Sequence, residues 1–79
     1  MDSTQAFETL YEIFEEFFDL ERSEFVPELT ADQVDGWDSL NHIRLMLEIQ
    51  QKCGVKFSSG EISNLKNVGQ LADLIIAKT

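Results

Sequence analysis

The chain has 79 residues, with six Lys+Arg against fifteen Asp+Glu for a formal net charge of −9, and 43% hydrophobic residues that include six Phe. That length suits one domain spanning residues 1–79 with a small core, since about 60% of the unfolded surface is buried in domains of this size class. The composition excludes a disordered chain, because apolar residues are frequent and periodic. The charge excludes nucleic acid and anionic membranes as natural partners and steers the chain toward basic patches on other proteins. The single Cys53 cannot form an internal disulfide, no apolar run reaches transmembrane length, and no signal-peptide pattern opens the chain. A cytosolic monomer without membrane insertion is the expectation.

A first helix is predicted from about Ser3 to Leu20. Phe7, Leu10, Tyr11, Phe14, Phe17 and Phe18 recur at helical spacing, with Glu8, Glu12, Glu15, Glu16 and Asp19 on the solvated side. From Glu21 to Trp37 the periodicity breaks, and Pro27, Gly36 and scattered polar residues make a long loop. A loop of that length has to pack down through its own apolar residues, for which Phe25, Val26, Leu29, Val34 and Trp37 are the candidates.

Asp38 suits the N-cap of a second helix over Ser39 to Lys52, and Gly54 suits its stop. At about 100° per residue Leu45, Met46, Ile49 and Cys53 fall on one side of this helix, with Leu40, Ile43 and Leu47 nearly opposite. Packing against a single core needs only one apolar stripe. The second is a partner face beginning next to Ser39, or else it is buried beneath the long loop. A short third helix is predicted between Ser59 and Leu65, where Ser58 and Glu61 have capping-box spacing. A fourth runs from Val68 to about Ala77, with Asn67 and Gln70 at the same spacing and Leu71, Leu74 and Ile75 as its apolar face. No segment alternates in hydropathy, so the fold class is all-α, a small four-helix bundle.

The decisive short stretch is Gly36-Trp37-Asp38-Ser39-Leu40. It places a hydroxyl where a helix begins, and free N–H groups with the positive dipole end make such a place suited to phosphate. Catalytic constellations fit poorly. His42 lies three residues after Ser39, but there is no G-x-S-x-G elbow. Ser63-Asn64-Leu65-Lys66 matches S-x-x-K without its companion motifs. Aligning Gly36 with the glycine of a calcium loop puts Ala31 and His42 at ligand positions, which is wrong for calcium.

With these set aside, Asp38-Ser39-Leu40 at the head of the second helix, together with the size, the charge and the helix order, resembles the acyl carrier protein family over essentially the whole chain. The resemblance implies a bundle of acyl-carrier type and a non-catalytic, stand-alone carrier. It also implies that a phosphopantetheinyl transferase moves 4′-phosphopantetheine from coenzyme A onto Ser39, giving a phosphoprotein whose arm carries acyl groups as thioesters. Asp38 then caps the helix and helps the transferase read the site. Leu40, Asn41, Ile43, Arg44, Leu47, Glu48 and Gln51 are implied contacts for the transferase and for acyl-loading and acyl-transferring enzymes. Met46, Ile62, Leu65 and Val68 are implied as the lining of an acyl pocket, although bulky Phe residues on the first helix are expected to fill that space and shelter long chains poorly.

Asn41 and Arg44 stand where fatty-acid-synthesis carriers usually have acidic residues. This departure points to a specialised pathway, such as polyketide, extender-unit or surface-polymer biosynthesis, over general fatty acid biosynthesis. The alternatives are a peptidyl or aminoacyl carrier and an unmodified acidic helical adaptor.

Overall fold

The computed structural model describes residues 2–79. Four α-helices follow one another: α1 (Ser3–Phe18), α2 (Ser39–Cys53), α3 (Ser59–Asn64) and α4 (Val68–Lys78), with 3₁₀ turns at Arg22–Glu24 and Ala31–Gln33 in the long α1–α2 loop. There is no strand among the described residues, so the all-α bundle expected from the sequence is the fold. α1 packs against both α2 and α4.

The helices begin and end for local reasons. Asp2 caps α1, its carboxylate accepting from the Gln5 amide at 2.8 Å. α1 stops two residues before the predicted Leu20 because Asp19 adopts a left-handed conformation, φ 53°, while donating its N–H to the Glu15 carbonyl. Aspartate tolerates that geometry better than most residues, and the reversal carries Leu20 back into the core. α2 runs one residue beyond the predicted Lys52 and ends on Gly54 at φ 67°. Ser58 and Glu61 form the expected reciprocal capping box on α3. At α4 only half of that expectation is met. Asn67 accepts from the Gln70 amide, but the Gln70 side chain accepts from the Lys66 amide instead of closing the box.

The core is one cluster that draws on α1, α2, α4 and the loops between helices, with α3 only leaning Ile62 against it. Ala6, Leu10, Ile13 and Phe14 come from α1, Leu45, Met46 and Ile49 from α2, and Val68, Leu71, Ala72 and Ile75 from α4. The loop adds Phe25, Leu29, Val34 and Trp37, as predicted, but Val26 is 42% exposed and takes no part. No polar or charged residue is buried among the described residues, so the excess acidic charge stays solvated.

Phe14 is the aromatic hub, with ring centroids 5.1 Å from Phe25, 5.0 Å from Trp37 and 5.7 Å from Phe18. Edge-on contacts of this kind add to the burial itself. Backbone bonds complete the docking of the loop. Val68 donates to the Leu29 carbonyl at 3.0 Å and Gly69 to the Pro27 carbonyl at 2.8 Å. A Cβ on Gly69 would lie 3.2 Å from Pro27 Cβ and carbonyl oxygen, so glycine is what allows the loop this close. The first amides of α4, which no helix can satisfy internally, are thereby used to hold the loop.

Replacing Phe14 with alanine should lower unfolding free energy by about 3–5 kcal/mol, a large share of the total for a domain of this size. Urea unfolding followed by the fluorescence of Trp37, which packs on that ring, measures the loss.

Candidate functional site

Trp37 anchors the last turn before α2. It is 9% exposed, with Phe14 edge-on and Phe18 stacked beside it at 6.0 Å. Its neighbour Asp38 is extended and caps α2, accepting from the Asn41 amide at 2.9 Å. Asn41 Nδ2 in turn donates to the Gly36 carbonyl at 2.7 Å, so both sides of the turn are pinned.

Ser39 follows as the first residue of α2, with its side chain exposed. The amides of Ser39 and Leu40 have no partner among the described residues, unlike the first amides of α4. The site therefore presents a free hydroxyl with unsatisfied N–H donors beside it, which fits a phosphodiester on that oxygen.

His42 is where the structure adds most. The Trp37 indole N–H donates to His42 Nδ1 at 2.9 Å, and the rings stack at 6.0 Å. With Nδ1 accepting, the neutral ring carries its proton on Nε2, which donates to the Ile62 carbonyl at 3.2 Å. Both nitrogens are occupied, so His42 is not a base for Ser39; its ring packs against the end of the loop instead. Ser63 likewise donates to the Ser59 carbonyl at 2.6 Å, which leaves the S-x-x-K match without chemistry.

A solvent-open cleft of about 730 Å³ lies beside Ser39, lined by Ala31, Asp32, Trp37, Asp38, Ser39, His42, Ile43, Ser59, Ile62, Ser63 and Leu65. Of the four residues expected to line an acyl pocket, Ile62 and Leu65 are on this cleft. Met46 and Val68 are 1% and 0% exposed in the core and lie outside it. Sequence reasoning missed the contributions of Ala31, Asp32, Ser59 and Ser63, because a loop turn and a six-residue helix meet there only through the fold.

The second apolar stripe of α2 is not buried by the loop: Leu40, Ile43 and Leu47 are 64%, 51% and 56% exposed. Asn41 and Glu48 are half-buried beside it, whereas Arg44 and Gln51 are exposed. Glu48 pairs with Lys52, which also reaches Glu16 on α1, both at 3.7 Å. Cys53 lies at the far end of α2, where burial pushes its thiol pKa up and makes it a poor nucleophile.

The family profile described as "Phosphopantetheine attachment site" matches residues 8–75. A holo acyl carrier protein from Geobacter metallireducens, solved by solution NMR, is 38% identical and superposes with a TM-score of 0.82, the match covering 92% of this chain and 84% of that one. The chain belongs to the acyl carrier protein family. Its prosthetic group is 4′-phosphopantetheine, held covalently. No curated protein sequence is a significant match to this carrier. None of its helices among the described residues is long and apolar enough to cross a membrane.

One wall of the carrier's cleft depends on a carboxylate. Glu61 of α3 accepts from the Ser58 amide at 2.8 Å and pairs with Lys78 of α4 at 3.1 Å. These bonds, the amide's first, hold the Glu61 pKa below the usual carboxylate range. A depressed folded pKa gives stability that is present above the unfolded value and lost as pH falls through the folded one. Acid titration should therefore loosen α3 below the ordinary glutamate range, seen as faster exchange of the Ser58 and Ile62 amides by NMR. Glu61→Gln should be loose already at neutral pH and flat across that range.

Proposed function

We propose that Ser39 is the attachment point and that the protein carries acyl groups as thioesters on the arm held there. The carrying observation is an exposed hydroxyl on the first residue of α2, beside unsatisfied amides and opening on a largely apolar cleft. The arm comes from coenzyme A: a bond forms between the serine oxygen and the pantetheine-bearing phosphorus as the diphosphate bond breaks, the serine proton passing to the transferase's base and adenosine 3′,5′-bisphosphate leaving. The phosphopantetheinyl transferase supplies the base and the magnesium. Asp38 holds the first turn of α2 so that Ser39 is presented in one orientation. The protein itself needs no base, which agrees with a His42 ring engaged at both nitrogens.

The exposed stripe Leu40, Ile43 and Leu47 supports a partner face next to the attachment point, with Asn41, Arg44, Glu48 and Gln51 at its margin. Successive acyl-loading and acyl-transferring enzymes use it in turn. Aliphatic side chains left in water on one helix face are the kind of surface a partner buries. The neutral Asn41 and cationic Arg44 at the head of α2 support a dedicated biosynthetic pathway, because a partner selecting acidic residues there finds none. The protein works in the cytoplasm as a monomer.

The first test is intact mass after incubation with coenzyme A, magnesium and a promiscuous phosphopantetheinyl transferase, with Ser39→Ala in parallel. A gain of one phosphopantetheine on the wild type alone is expected. No gain on folded wild-type protein would favour an unmodified adaptor instead.

The face makes a separate prediction. Leu40→Glu should leave unfolding free energy within about 0.5 kcal/mol, because the side chain is already exposed. It should lower transferase kcat/KM by roughly five- to tenfold, the loss expected of one interface anchor. Equal rates for the two proteins would remove Leu40 from the face.

A further inference from the structure

His42 does more than pack the loop. Among the described residues α3 is tied to the other helices by two polar contacts, Glu61 to Lys78 on the α4 side and His42 to the Ile62 carbonyl on the α2 side. The His42 ring stands between Trp37 and Ile62, touching the first through Nδ1 and the second through Nε2, and it lines the same cleft as Ser39. An acyl group passing from that cleft into the core between α2 and α3 has to displace this ring and draw the two helices apart. Doing so strands the Trp37 N–H without a partner and leaves the Ile62 carbonyl only its longer bond from the Leu65 amide at 3.4 Å, which a half-buried site resists. Beyond the ring the core is already filled, with Met46 and Val68 shut off from solvent.

We propose that His42 is a specificity-determining residue that limits how long an acyl group the carrier can shelter. By pinning α3 to α2 while held by Trp37, it confines the acyl group to the Ser39 cleft. Short acyl thioesters are covered there, and the distal part of a long aliphatic chain stays outside the bundle, available to a partner. This inference rests on Ser39 carrying the arm. It adds a reason for poor shelter of long chains that does not involve the phenylalanines of α1.

The test loads wild type, His42→Ala and Trp37→Phe with acetyl, butyryl, hexanoyl, octanoyl and dodecanoyl pantetheine. Loading is checked by intact mass and folding by circular dichroism. Thioester cleavage by neutral hydroxylamine, which gives the hydroxamate and the free thiol, is then timed. In wild type, protection should rise over the short chains and level off. In His42→Ala, which also loses one wall of the cleft, acetyl and butyryl cleavage should not slow, whereas dodecanoyl cleavage should slow by at least the amount one newly sheltered methylene supplies, roughly fourfold. Trp37→Phe keeps a ring on Phe14 but removes the N–H that holds His42, so it should shift the same way to a smaller degree.

A general loss of stability would speed cleavage at every length and could not produce this pattern. Identical length profiles in all three loaded proteins, or protection that keeps rising with length in wild type, would overturn the inference while leaving Ser39 as the attachment point. Absence of the arm's mass on wild type would overturn both.

Discussion

The contact on which the rest depends is Trp37 against Phe14. One side of the indole is set edge-on to the most buried ring of α1, and the other is stacked on His42 of α2. Since Trp37 directly precedes Asp38 and Ser39, its position sets where α2 begins and where the serine hydroxyl emerges. A long loop would ordinarily leave that point mobile, because ordering each residue costs about 1–2 kcal/mol of backbone entropy. Phe25, Leu29, Val34 and Trp37 offset this by burial. Two backbone bonds to the head of α4 fix the direction in which the loop runs.

The helix ends divide the work between structure and chemistry. At α4 the leading amides are satisfied by Leu29, Pro27 and Asn67, so that end is structural. At α2 the Asp38 carboxylate takes the Asn41 amide, and the Ser39 and Leu40 amides remain open beside the hydroxyl. The same backbone physics therefore locks the loop at one place and leaves donors open beside the proposed attachment point at the other. The fold needs no buried charge to achieve this, and the acidic residues remain at the surface.

That surface is uneven in a useful way. α1 turns Glu12, Glu15 and Glu16 to solvent, whereas α2 shows Leu40, Ile43 and Leu47 around an exposed Arg44. Long-range steering by the net charge and short-range apolar contact are thus carried by different helices. On the proposed reading, a partner is drawn in by the acidic body and chosen by the α2 face.

Much of this was legible in the order of residues. The four helices follow from 3.6-residue periodicity and from capping residues that act over three or four positions, so local sequence determined them to within two residues at each predicted end. Asp38-Ser39-Leu40 marked the proposed site for the same reason, since a cap and its hydroxyl are neighbours in sequence. Tertiary structure alone decided what crosses between segments. Val26 is as apolar as Val34, yet it points outward because the loop's path is set by Trp37 and by α4. The second stripe of α2 could have been buried or bare, and periodicity has the same value either way. The bridge from Trp37 through His42 to Ile62 joins a loop, a helix and a carbonyl twenty residues further on. No local pattern records it, because a carbonyl acceptor carries no side-chain identity and the bond exists only once the core has brought α3 against α2.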